Sequence, residues 1–210
     1  MQETQQQTQT TSLPKIGDTA PDFKSPTTQT EEMSFHEWQG KDWVVLFSHP
    51  ADFTPVCSTE LMEFARRSKD FEKINVKLIG VSVDSVHSHL AWLHNMKEKM
   101  GVEIPYPLVA DISMKVSHLF GMIHPGASVT ATVRAVFVID PKHVIRALVY
   151  YPMNVGRNVE EILRLVTALQ IEIRTRRHRH TRIQQAAAEC FRIIRQVRDV
   201  GIHVKRTAHF

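Results

Sequence analysis

A short apolar run, Trp43-Val44-Val45-Leu46-Phe47, halts at Ser48-His49-Pro50, and a helix opens almost at once at Thr54-Pro55. A run of this length ending at a proline reads as a buried strand that stops in a loop. Threonine suits a helix cap and proline the first helical position. Cys57, Leu61, Phe64, Ser68 and Phe71 then recur at helical spacing, so one helix is expected through this stretch. A strand that feeds directly into a helix belongs to a sheet with helices packed on its faces, and this junction commits the chain to an α/β architecture.

The same alternation continues downstream. "VKLIGVSV" reads as a strand, and Ser85 as the cap of a helix that runs through Met100 and ends at Gly101. "YPLVAD" is a strand, and "SMKVSHLFG" a short helix with a glycine stop. "RAVFVID", the turn "PKH" and "VIRALVYYP" form an antiparallel hairpin, and "NVEEILRLVTALQ" is an amphipathic helix. Before all of these, "LPKIGDTAPDF" is extended and punctuated by Pro14, Gly17 and Pro21. The expectation is a mixed central sheet flanked by helices, with no internal repeat.

Composition narrows the class. The hydrophobic fraction of 42% suits a globular core, and no apolar run approaches the roughly 20 residues of a membrane helix, so a soluble protein without a membrane partner is expected. The stretch "MQETQQQTQTTS" lacks the apolar core of a secretory signal and the arginines of a transit peptide, and reads as a flexible polar tail over residues 1–12. Two cysteines, Cys57 and Cys190, are too few for a disulfide framework and suggest a reducing, cytoplasmic setting in which a thiol is kept for its chemistry. Charge is divided unevenly: residues 171–210 hold ten Lys and Arg against three Asp and Glu. The chain is therefore read as a tail, a domain over residues 13–170 and a basic extension over residues 171–210.

Cys57 falls in the first turn of its expected helix, where free N–H groups and the positive end of the helix dipole favour an anion and hence a thiolate. Thr54, one turn back, can hydrogen-bond to the sulfur or to an oxygen approaching it. It also occupies the position from which a second cysteine would have made a dithiol motif, so any chemistry is that of a single thiol. Read without further context, Cys57 suits a small buried apolar residue better than a reactive thiol.

Beyond these local arguments, "HPADFTPVCSTEL" resembles the active-site loop of the peroxiredoxins of AhpC/TSA type, in which a proline, a threonine and a cysteine stand at the spacing of Pro50, Thr54 and Cys57. The "FSHP" lead and the "PVCSTE" form are similar to the one-cysteine class. "PDF", "GVSVDS", "PYPLVAD", "RAVFVIDP" and "YPMNVGRN" follow in the family's order, so the resemblance covers about residues 14–170. It implies a thioredoxin-like fold and a thiol peroxidase that reduces hydrogen peroxide and organic hydroperoxides, protecting the cell against oxidative stress. On that resemblance Cys57 is the reacting thiol and cycles through a sulfenic acid. Thr54 orients the peroxide, Pro50 shields the sulfur from water and Arg134 stabilises the thiolate and the leaving oxygen. His49, Glu60 and Arg157 take supporting roles. The implied partners are an external thiol reductant (thioredoxin, glutaredoxin or glutathione) and a second copy of the chain, as a homodimer or a larger ring. No cofactor is implied.

Two departures stand out. Some one-cysteine relatives have a lipase activity attributed to a histidine and a serine; His36 matches the first but Asp42 stands in place of the second, so that activity is not carried over. The family's proline-containing C-terminal arm is replaced by an Arg- and His-rich segment. Cys190 lies within it and is a candidate resolving cysteine, with a passive thiol as the alternative. His178 and His180 are too few to predict a metal, and with only Phe191 and Phe210 available for stacking, specific nucleic-acid recognition is not expected. Two other readings remain open: a redox-sensing or chaperone-like oligomer, and a polyanion-binding protein acting through the basic extension.

Overall fold

The computed structural model describes residues 13–176 together with Arg182 and Gln185. The polar tail over residues 1–12, His178, His180, Cys190 and the rest of the basic extension lie outside the described residues. The chain divides into two units, residues 1–164 and 165–210. All the sheet elements below belong to the first, in which residues 159–164 are helical; in the second, residues 165–176 are helical.

The first regular structure is one the sequence reading did not foresee. β1 (Lys24–Ser25) pairs antiparallel with β2 (Met33–Ser34), and α1 (Phe35–Gln39) follows directly. These elements are too short to leave a periodic signal in the sequence. They bring Phe23 and Phe35 into a stack with ring centroids 4.9 Å apart, against which Phe120 sets its edge.

The expected alternation then appears as β3 (Trp43–Ser48), α2 (Pro55–Arg66), α3 (Ser68–Lys73), β4 (Val76–Ser82), α4 (Val86–Met100), β5 (Leu108–Ala110), α5 (Lys115–Leu119), β6 (Arg134–Ile139) and β7 (Ile145–Tyr151). The strands form one sheet in the order β5-β4-β3-β6-β7. β3, β4 and β5 run parallel, joined by helical crossovers, whereas β6 and β7 are an antiparallel hairpin added beside β3. This is the mixed, thioredoxin-like sheet that the resemblance implies.

Alternate residues of β3 face opposite layers. Val44 and Leu46 enter a cluster with Phe35, Ile79, Val116, Phe120 and Phe137. Phe47 points the other way, stacked on Phe64 of α2 at 4.2 Å and meeting the edge of Tyr106 at 5.7 Å. Burial on both faces explains why β3 and β6 are continuously apolar rather than alternating.

Two local expectations need correction. The apolar series from Cys57 to Phe71 spans two helices, because Arg67 turns to φ −90°, ψ 0° and serves as the C-cap of α2 and the N-cap of α3. Thr54 is the residue before Pro55, as expected, but its side chain makes no capping bond; the hydroxyl donates back to the Ala51 carbonyl at 3.0 Å. It does not bond to the sulfur either.

α4 matches its expected limits. The Ser85 hydroxyl accepts from the Ser88 N–H at 3.1 Å, and Gly101 adopts the left-handed conformation, φ 63°, ψ 21°, that ends the helix. Ser85→Ala should lower stability by about 1 kcal/mol. Urea denaturation of that variant beside the parent checks this, and an unchanged midpoint would remove the cap from the account.

Candidate active site

Cys57 is fully buried in the first turn of α2. Arg134, the first residue of β6, donates from Nη1 to Cys57 Sγ at 3.4 Å. The two meet because β3 and β6 are antiparallel neighbours, so the end of β3 from which the loop and α2 depart lies beside the start of β6. Ser48 ties this corner: its hydroxyl donates to the Val133 carbonyl at 2.6 Å and accepts from the Ala135 N–H at 3.0 Å, bracketing Arg134 on both sides.

Glu60 lies one turn beyond Cys57 and joins two guanidiniums. Arg134 Nη1 donates to Glu60 Oε2, and Arg134 Nε donates to the Met153 carbonyl at 2.8 Å, which leaves the guanidinium plane little freedom. Arg157 donates to Glu60 through its backbone N–H at 2.6 Å, Nε at 2.8 Å and Nη2 at 3.0 Å, and through Nη1 to the Ala135 carbonyl at 2.8 Å. Its guanidinium sits 5.4 Å from the Phe47 ring centroid. Burial pushes the Glu60 carboxyl up, but the hydrogen bonds and charge of Arg157, with the charge of Arg134, outweigh it and hold the group below its ordinary value.

On the other side of the loop is a second buried polar group. Pro50 is buried, and His49 before it and Asp52 after it are hydrogen-bonded through Nε2 and Oδ1 at 2.9 Å. Asp52 also binds His89 of α4, whose Nδ1 lies 2.8 Å from Oδ2, and accepts from the Ser88 hydroxyl at 2.8 Å. The Asp52 N–H donates to Asp84 at 3.1 Å. Burial raises the Asp52 carboxyl, yet hydrogen bonds from both histidines win and hold it well below the usual carboxylate range. Burial pushes His49 down, only partly offset by Asp52.

The AhpC/TSA family pattern matches residues 16–148. A peroxiredoxin from Aquifex aeolicus (strain VF5) is 55% identical over 159 residues, covering 76% of this chain and 71% of the relative. One from Thermotoga maritima is 52% identical over 158 residues, covering 75% and 73%. The chain belongs to the AhpC/TSA family. Solved peroxiredoxins share its fold: a yeast mitochondrial 1-Cys peroxiredoxin, described as resolved through glutathione/thioredoxin systems, superposes with a TM-score of 0.72 at 43% identity over 77% of this chain and 79% of its own. A cysteine-to-serine variant of peroxiredoxin 6 from Arenicola marina gives 0.71 at 39% identity over 76% and 74%. Peroxiredoxin membership makes this chain a thiol peroxidase, similar to the one-cysteine class.

Within this peroxiredoxin, Cys57, Arg134, Glu60 and Arg157 are joined by direct contacts, and Pro50 and Thr54 belong to the loop that leads into α2. His49 stands apart from that group and binds Asp52. Sequence reasoning missed Asp52, Ser88, His89 and Ser48, and the backbone carbonyl of Met153. Asp52 was legible as an acid inside the quoted loop. His89 had one signal, a polar side chain on the face of α4 that also carries Trp92 and Met96, all three buried.

Because Asp52 and Glu60 titrate below their ordinary values of 3.8 and 4.5, the stability they supply is present above that range and lost as pH falls through it. Urea denaturation from neutral pH downward should show an acid-side loss that is shallower in Glu60→Gln, which lacks that titration. An identical acid slope in the two proteins would exclude Glu60 as a source.

Proposed function

We propose that Cys57 is the peroxidatic residue of this enzyme and that hydrogen peroxide and organic hydroperoxides are its substrates. The observation that carries the reading is the contact of Arg134 Nη1 with Cys57 Sγ in the first turn of α2. Two guanidiniums share one carboxylate at this point, so the buried group is one negative charge short. A Cys57 thiolate supplies that charge.

The thiolate attacks the terminal peroxide oxygen; an S–O bond forms as the O–O bond breaks, and the departing oxygen leaves as water or alcohol after taking a proton. Arg134 faces the charge that develops on that oxygen. Thr54 spends its proton on the Ala51 carbonyl, which leaves its hydroxyl oxygen as an acceptor for the O–H of a bound peroxide. Pro50 closes the loop against water. The cycle ends when an external thiol attacks the sulfenic acid, releasing water and forming a mixed disulfide, and a second thiol returns Cys57 to its reduced form. Thioredoxin, glutaredoxin and glutathione are the reductants we propose, and a homodimer the assembly.

Cys57→Ser should abolish peroxide consumption in a stopped-flow assay while its circular dichroism is unchanged; retained turnover would defeat the assignment. Arg134→Ala should slow formation of the sulfenic acid, trapped and read by intact mass, by about 100-fold or more. Cys190→Ser belongs in the same experiment: a sulfenic acid that persists in both it and the parent supports the one-cysteine cycle, and a Cys57–Cys190 disulfide in the parent alone would give Cys190 the resolving role.

A further inference from the structure

The group on the far side of the loop poses a counting problem that the peroxidase chemistry does not address. The ligating atoms of His49, Asp52 and His89 lie within 4.8 Å of one another, with both histidine side chains fully buried. His89 Nε2 meets the Val109 carbonyl at 3.2 Å. A carbonyl only accepts, so Nε2 carries a proton. The other nitrogen, Nδ1, lies 3.0 and 2.8 Å from the two oxygens of Asp52. A carboxylate also only accepts, so Nδ1 carries a proton as well.

The same count applied to His49 gives a different answer. Its Nε2 donates to Asp52 Oδ1 at 2.9 Å, and its Nδ1 is buried and has no hydrogen-bond partner. A buried N–H without an acceptor costs more than a buried lone pair without a donor. His49 is therefore neutral, protonated on Nε2, with a lone pair of fixed direction on Nδ1.

We infer that His89 is held as an imidazolium by Asp52 and Val109, and that it is a positioning residue of the active loop, acting through Asp52. The carboxylate receives His89, His49 and Ser88 at once, while the Asp52 N–H is held by Asp84, itself bound by the Ser82 hydroxyl at 2.7 Å. The loop between β3 and α2 is thereby fastened to the end of β4 and the first turn of α4. His89 supplies the positive charge that lets Asp52 remain a carboxylate while buried, and Asp52 sets the tautomer of His49.

The test uses the full chain labelled with nitrogen-15 at histidine, with ring N–H protons read by long-range correlation and assigned from the variants. The parent should show two slowly exchanging ring protons on His89 and one, on Nε2, for His49. In His89→Gln the two signals vanish, and in Asp52→Asn the His49 ring mixes tautomers, because an amide can accept or donate. A single ring proton on His89 would overturn the inference. So would loss of its Nδ1 proton on adding one equivalent of zinc, which would make the group a metal site instead.

The kinetic arm rests on the proposed role of Cys57: His89→Gln should slow sulfenic acid formation about tenfold through a misplaced loop. An unchanged rate in a folded variant would overturn the positioning role. The proton count in the parent spectrum needs no reacting thiol, so failure of the Cys57 reading leaves it standing and is told apart from failure of this one.

Discussion

The structure around the thiol depends on one buried carboxylate. Glu60 is 4% exposed and receives four donors, two on each oxygen, from Arg134 and Arg157. A lone buried charge would cost several kcal/mol; here the pairing and the hydrogen bonds offset that cost. What the arrangement secures is register. Glu60 belongs to α2, Arg134 to β6 and Arg157 to the loop that follows β7, so one side chain fixes three separate pieces of chain relative to Cys57.

Such precision needs a frame, and the sheet provides it. β3 and β6 are apolar on both faces, which leaves their polar side chains only at the ends, where Ser48 and Arg134 meet. The Ser48 hydroxyl bonds to groups on both sides of Arg134, so the strand that launches the active loop also sets the position of the arginine. At the other end of the loop Asp52 does a similar job with different chemistry, gathering His49, Ser88 and His89. The loop is held by polar groups at Ser48 and at Asp52, and the backbone strain it shows is local: exposed Phe53, with φ 57°, directly follows Asp52.

Much of this was legible in the sequence. Strand and helix limits from Trp43 to Tyr151 follow from apolar runs and punctuation, because β3, β4 and β6 are long enough to bury a continuous stripe and Ser85 and Gly101 are strong stop signals. The short hairpin of β1 and β2 and the break at Arg67 were not, since two-residue strands carry no period and Arg67 has no helix-breaking side chain. Cys57, Arg134, Glu60 and Arg157 were placed by motif rather than by physics; composition alone cannot bring residues 57 and 134 together. His89 and Asp52 escaped because a buried His–Asp contact spans 37 residues and leaves no mark in either local sequence.

The choice of arginine at position 134 follows from the same geometry. Its Nη1 touches both Cys57 Sγ and Glu60, and its Nε reaches the Met153 carbonyl, so three acceptors are met by one rigid fork. Lysine could carry the charge but not the orientation, because its ammonium is a point donor on a flexible stem. On the proposed reading, the cation must be in place before the peroxide arrives, since reorganising a buried charge during the reaction would return the energy that its preorganisation saves. On the same proposed reading Glu60 acts through Arg134, whose guanidinium it holds in place.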